Sequence, residues 1–235
     1  MDKEEKNKII NAVIYPLLFV GILSVVHLIQ YVYQMNWFHY GIYPLKLQNL
    51  SGIILSVFIH GDFNHLFNNA IPVLILGSTL FYFYKKIALK IVLWVVLMGG
   101  FWTWISAREA YHVGASGLIY GLFAFLMLSG FIRRNKQLIA LSFFVVLVYG
   151  SMVWGIFPIK INVSYEAHFW GFISGVILAL YYRKQGPQRI IYQWPDEEED
   201  EEDENAYWKL KPKPQPRNIV YHYQPKTDKD KEVKD

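Results

Sequence analysis

The chain has 235 residues, 54% of them hydrophobic and 17% aromatic, with a formal net charge of +4 and no cysteine. Residues 1–182 hold only 12 basic and 6 acidic side chains, whereas residues 183–235 hold the other 11 and 13; a soluble domain carries about one charged residue in four, so the first part does not read as a soluble globular enzyme. The missing cysteines exclude disulfide scaffolds, thiol nucleophiles, Fe–S clusters and Cys-ligated zinc. The basic residues stand in small groups between apolar runs, which is a pattern of membrane topology and not of nucleic-acid binding.

A spanning helix needs about 20 apolar residues, because it rises about 1.5 Å per residue through a core about 30 Å thick. Six runs meet or approach that length: 9–35, 65–84, 87–106, 116–132, 138–157 and 167–182. The first follows Lys3, Lys6 and Lys8 and has no small-residue cleavage pattern, so it reads as a retained helix. Residues 36–64 are too long for a plain hairpin and rich in aromatics, which places them in the membrane interface. With the amino terminus in the cytoplasm, eleven basic residues (Lys3, Lys6, Lys8, Lys85, Lys86, Lys90, Arg133, Arg134, Lys136, Arg183, Lys184) fall inside and three (Lys46, Arg108, Lys160) outside. Both termini are then cytoplasmic, and the second, fourth and sixth runs all start at the outer face. After Tyr182 the sequence carries nine consecutive acidic residues at 196–204 and the proline-rich stretch 211–216, which predict a disordered, solvated tail.

Polar groups within spanning helices are costly and mark function. Three such clusters open the second, fourth and sixth runs, and so share one depth. They are His65 with Asn69, Gly114-Ala-Ser116-Gly117, and Ala167-His168 followed by Gly171 and Gly175. A serine is a weak nucleophile until a base takes its proton, and His168 can be that base. His65, Asn69 and the Ser116 amide can donate hydrogen bonds to an oxyanion. The set is complete for acyl transfer without a carboxylate. Gly117 with Gly121, and Gly171 with Gly175, have the small-xxx-small spacing that lets two membrane helices approach closely.

These residues resemble the rhomboid family of intramembrane serine proteases, whose marks are HxxxN, GxSG and AHxxGxxxG in this order. The resemblance covers about residues 10–182 and implies a dyad of Ser116 as nucleophile and His168 as base. It implies an oxyanion hole of His65, Asn69 and the Ser116 amide, and Tyr120 packed against the catalytic imidazole. Gly114, Gly117, Gly121, Gly171 and Gly175 are supporting residues. One departure is that the Trp-Arg pair many members carry in the first outer loop is absent from residues 36–64.

Other polar residues receive plainer readings. His60 and His112 read as loop residues without a placed partner, and Asp62, Glu109 and Glu166 as solvated or loop-capping. A zinc site of His60, Asp62, His65 and His168 is set aside because no HExxH spacing exists.

The expected protein is an all-α, polytopic membrane protein: residues 1–8 cytoplasmic, 9–182 a six-helix membrane domain, 183–235 a charged cytoplasmic tail. It is expected to cleave transmembrane protein substrates within or beside their spans, with no cofactor, metal or nucleic acid. Its expected place is the lipid bilayer of a prokaryotic cell membrane. The dyad needs water, so a cavity open to the outer side and covered by residues 158–166 is expected. The rival readings are a catalytically silent rhomboid-like binder of client helices and a transporter with histidine relays.

Overall fold

The computed structural model describes residues 2–159, 163–189 and 221–223. Its α-helices are α1 (Lys3–Val32), α2 (Gly52–Leu55), α3 (Phe63–Tyr84), α4 (Ala88–Ser106), α5 (Ser116–Arg133), α6 (Lys136–Tyr149) and α7 (Tyr165–Tyr181). Among the described residues the one β feature is an isolated bridge between Ile42 and His112. Each of the six apolar runs contains an α-helix. Five of them are long and apolar enough to cross a membrane, with α6 counted together with the 3-10 turns that extend it to Ile156. The sixth, α7, has 17 residues, a rise of about 25 Å, shorter than a full bilayer core.

Two boundaries differ from the sequence reading. Helix α1 begins at Lys3, ahead of the apolar run, so residues 3–8 are its first turns. Glu4 and Glu5 lie in the first turn, where the helix dipole favours negative charge. Glu5 also accepts a hydrogen bond from the Tyr82 hydroxyl, and Lys8 Nζ lies 4.0 Å from the centre of the same ring. At the other end of the bundle, the run 138–157 is not one helix. Its α-helical part stops at Tyr149 and a 3-10 helix continues over Gly150–Ile156, a segment that carries Gly150 and Gly155, both poor helix formers.

Helix α5 is the centre of the fold. Leu118 to Leu126 are buried without a break, as expected of a helix that is apolar all round. Helices α1 and α6 lie outside it and expose Leu17, Leu18, Val25, Phe143, Phe144 and Leu147, apolar surface that a bilayer covers. Helix α7 lies against α5 at backbone distance. A Cβ on Gly171 would overlap the Gly117 carbonyl oxygen, and one on Gly175 would overlap that of Gly121. Helix α4 closes on the same seam, with the Cβ position of Gly99 3.3 Å from Gly171 Cα. Helix α1 packs on α3 through Pro16, whose ring reaches to 2.9 Å from the Cβ position of Gly77.

Residues 36–64 fold into two 3-10 turns, the short helix α2 and a third 3-10 turn. They are tied to the segment before α5 by the Ile42–His112 bridge and by the Gly114 N–H, which donates to the Ser56 carbonyl at 2.8 Å. Beyond α7, buried Arg133 donates to the carbonyls of Tyr182 and Gln185, and Asn135 donates to that of Gln188. The chain divides into two units, Met1–Ile190 and Ile191–Asp235. In the second unit Tyr221 to Tyr223 have no regular structure and are exposed. The acidic run 196–204 and the proline-rich stretch 211–216, read as a disordered tail, lie outside the described residues.

Candidate active site

The site begins with three helix starts. Asp62 caps α3, its carboxylate accepting the His65 N–H at 2.7 Å, the expected work of an aspartate before a first helical turn. This places His65 and Asn69 one turn apart on one face. Ser116 is the first residue of α5, so its own N–H has no intrahelical partner. His168 sits in the first turn of α7. These residues, with Tyr120, line one open cavity of about 800 Å³.

Within it Ser116 Oγ and His168 Nε2 are 2.7 Å apart. His168 Nδ1 lies 2.9 Å from the Gly155 carbonyl oxygen. A carbonyl only accepts, so Nδ1 carries the proton and Nε2 is left to accept from the serine hydroxyl. The Tyr120 ring stacks on the imidazole, centroids 4.2 Å apart and planes 10° from parallel. The Tyr120 hydroxyl donates to the Met152 carbonyl at 2.8 Å. The imidazole is therefore held by a backbone oxygen on one edge and by an aromatic face.

Two donors stand beside this pair. Gly61 N–H approaches His65 Nδ1 at 3.5 Å, an arrangement in which His65 Nε2 bears the proton. Asn69 Nδ2 is buried with no hydrogen-bond partner among the described residues. Both reach toward Gly114. That residue has φ +112°, and a Cβ on it would lie 2.7 Å from His65 Nε2 and 3.5 Å from Asn69 Nδ2. Glycine is required here twice over, by the left-handed backbone and by the closeness of the imidazole. The structure thus brings together every residue singled out from the motifs: Ser116, His168, His65, Asn69, Tyr120 and the five glycines.

It also assigns partners to residues that the sequence left as plain loop positions. His60 is 1% exposed, and its Nε2 accepts the Ala115 N–H at 3.4 Å. His112 is buried, shares a hydrogen bond with the Ser164 hydroxyl, and lies 3.1 Å from the Arg108 carbonyl. Glu166, read as solvated or loop-capping, takes the second role: it is buried, with Oε1 3.7 Å from Arg108 Nε and 3.4 Å from the Arg108 N–H of the loop before α5. Arg108 also donates to the Val163 carbonyl at 2.8 Å. Together these bonds hold the end of the α6–α7 connection against the segment before α5. Gly155, whose carbonyl accepts from His168 Nδ1, is not marked by the motifs; its signal is the pair Gly150 and Gly155 within an apolar run that ends at Pro158.

Burial, and next the nearby His65 ring, push His60 down to about 4 from the usual 6.5. A histidine whose folded pKa is depressed is held neutral by the fold. Its contribution to stability is complete above pH about 6.5 and is lost as pH falls from there toward about 4, because the unfolded chain then binds the extra proton. Thermal unfolding in detergent between about pH 7.5 and pH 4.5 is expected to show a steeper fall for wild type than for His60→Gln, which has no proton to take up. Parallel falls would show that His60 does not set the acid limit.

A family profile described as the Rhomboid domain matches residues 47–185. An uncharacterized protein of Mycobacterium tuberculosis is 34% identical over 184 residues, covering 74% of this chain and 75% of its own. An uncharacterized protein of Mycobacterium leprae is 34% identical over 187 residues, covering 74% and 71%.

Proposed function

The chain belongs to the rhomboid family, and from that premise we propose that it is an intramembrane serine endopeptidase acting through Ser116 and His168. The observation that carries this reading is the 2.7 Å approach of Ser116 Oγ to His168 Nε2, with Nδ1 engaged by the Gly155 carbonyl. That geometry suits a serine whose proton leaves as it attacks.

In the proposed reaction Ser116 Oγ attacks the scissile carbonyl carbon while His168 Nε2 takes its proton. The carbonyl oxygen becomes an oxyanion, met by His65 Nε2–H, Asn69 Nδ2–H and the Ser116 N–H. Collapse breaks the C–N bond, and His168 gives its proton to the leaving amine. Water, activated by His168 in its turn, then hydrolyses the acyl-enzyme and frees Ser116. The Gly155 carbonyl stabilises the imidazolium in both halves without being protonated. The buried, unpartnered Asn69 Nδ2 supports the oxyanion assignment, since a buried donor with nothing to donate to is costly unless a ligand uses it.

The proposed substrates are transmembrane segments of membrane proteins. A helix hides its carbonyl carbons, so a substrate must unwind locally, and small or helix-weakening residues beside the cleaved bond are favoured. The six helical runs are proposed as six spans, with the site end of the bundle on the outer side and both termini cytoplasmic. Residues 1–8 and 183–235 are then the cytoplasmic ends of a membrane domain over 9–182. The excess of basic residues at the opposite end supports this orientation. Mycobacterial relatives support a prokaryotic cell membrane as its place.

The test is labelling by a fluorophosphonate probe, followed by mapping of the modified residue and by cleavage of a panel of single-span segments. Modification at Ser116 and fragments cut within or beside the span are expected. Modification elsewhere, retained in Ser116→Ala, contradicts the assignment. In the same assay His65→Ala or Asn69→Ala should each lower turnover by about 10²–10³, with labelling slowed and not redirected. A double variant cleaving at the wild-type rate removes these two donors from the mechanism.

A further inference from the structure

A second cavity, of about 440 Å³, lies beside the first, where the C-terminal end of α1 meets the start of α3. It shares Phe38, Gly61 and Asp62 with the site cavity, and Gln30, His27, Tyr31 and Phe63 complete the part of its wall that matters here. Gln34, Asn36 and His60 line it as well, and His60 Nδ1, protonated because Nε2 accepts from Ala115, is a buried donor without a partner among the described residues; the other unpartnered side-chain atoms of this wall are acceptors. Gln30 is 8% and His27 5% exposed, yet Gln30 Oε1 and His27 Nδ1 have no hydrogen-bond partner among the described residues. Buried polar atoms are seldom left so, and each costs free energy unless something binds to it.

Gln30 Oε1 can only accept, and His27 Nδ1 accepts when its proton is on Nε2. The exposed Asp62 carboxylate adds a negative charge and has lone pairs left beyond the one that caps α3. Aromatic residues Tyr31, Phe38 and Phe63 complete the wall. The Phe63 ring stands 4.6 Å from His27 and 5.2 Å from Tyr31, both edge to face, and Phe38 lines both cavities. Among the described residues no lysine or arginine lines it. Acceptors, one carboxylate and aromatic rings without a competing cation are the elements that hold an ammonium group.

We propose that this cavity binds an ammonium group, that of an ethanolamine phospholipid headgroup. Lipid is the chosen source because of what flanks the cavity. Val25, Leu28, Tyr31 and Val32 of the last α1 turns are all exposed, and apolar side chains beside a polar pocket at a helix end mark the depth of headgroups. An acyl chain can follow that exposed face of α1 while the amine enters among Gln30, His27 and Asp62. A primary ammonium has three N–H donors for these acceptors, whereas glycerol headgroups bring no charge to pair with the carboxylate. The inference does not depend on the proposed hydrolysis, and its test reads no activity.

Full-length protein in detergent is titrated with phosphatidylethanolamine and, separately, with phosphatidylglycerol of the same acyl chains, and lipid retention is read by native mass spectrometry. Phosphatidylethanolamine is expected to be retained at about tenfold lower concentration. Gln30→Leu and Asp62→Asn should each weaken its retention by about tenfold and leave phosphatidylglycerol unchanged. Asparagine at 62 can still cap α3, and thermal unfolding of each variant identifies any that fails to fold; the other then decides. Equal retention of the two lipids by wild type, or retention of phosphatidylethanolamine untouched in a folded variant, overturns the proposal. A third arm adds a blocked lysine amide: displacement of the lipid by it at lower concentration than by free phosphoethanolamine would assign the pocket to a peptide amine and overturn the lipid source.

Discussion

Ser116→Ala is expected to lower cleavage of a transmembrane substrate by about 10⁴- to 10⁶-fold while leaving the fold intact. The size follows from the chemistry of a nucleophile and base that act as one unit, where loss of either removes the covalent route. The structural cost is small. Ser116 is half-buried at the first position of α5, its hydroxyl bonded to His168 and not to the helix, and alanine is a better helix former than serine. His168→Ala should lose activity by a similar factor, and the double variant should lose little more than either alone. The measurement is single-turnover cleavage in detergent or in reconstituted vesicles, with thermal unfolding as the control for folding. Additive losses, each multiplying the other, would mean that the two residues act in separate steps and that the hydrogen bond between them is not the catalytic one.

Gly171→Leu is expected to remove most activity without touching any group that performs chemistry. A Cβ at this position overlaps the Gly117 carbonyl oxygen and lies 2.8 Å from the Gly117 carbonyl carbon and 3.1 Å from its Cα. Those are backbone atoms, so no side-chain rotation relieves the clash, and α5 and α7 must part. Gly117 follows Ser116 in the chain, and Gly171 lies one turn after His168. The separation is therefore imposed on the dyad itself. Overpacking of this kind costs about 1–3 kcal/mol in stability, which a helix bundle can survive. A displacement of about 1 Å between reacting groups costs about 10²-fold in rate, so the expected signature is folded protein with a loss of about 10²-fold or more. Phe172→Leu is the neighbour control. Phe172 is half-buried with its ring near Phe123, centroids 6.3 Å apart, and a smaller apolar side chain there leaves the α5–α7 seam closed. Equal rates for Gly171→Leu and wild type would show that the backbone contact does not set the spacing of the dyad.

What could be read from the amino acids alone follows from the period of the helix. Small residues four apart, with polar residues at helix starts, specify which faces meet, and so Gly117, Gly121, Gly171 and Gly175 were legible along with the groups they position. The bilayer gives a further ruler, since charge counting alone puts Ser116, His65 and His168 at one depth. What escaped has no period. His60 reaches Ala115 across 55 residues and two loops, and Arg108 reaches Glu166 across 58; pairs of that kind leave no local trace. A glutamate such as Glu166 is read as solvated or loop-capping, and its burial shows only once its partner is known, because isolated charge belongs in water. The 3-10 helix over Gly150–Ile156 was hidden for another reason. Hydropathy does not distinguish it from an α-helix, and the apolar run continues through it.

That 3-10 segment determines how the site responds to substitution. The group that orients His168 is the carbonyl oxygen of Gly155, and every residue type has a carbonyl oxygen. An alanine scan across 150–156 would therefore delete no orienting group and would pass over the third participant of the site. Gly155→Ala would be felt only as a collision, since a Cβ there overlaps the Tyr120 hydroxyl, and would be recorded as a packing defect. The reagent that reports on this contact is an ester in place of the peptide link: a depsipeptide bond between Gly155 and Ile156 weakens the carbonyl as an acceptor while leaving every side chain unchanged.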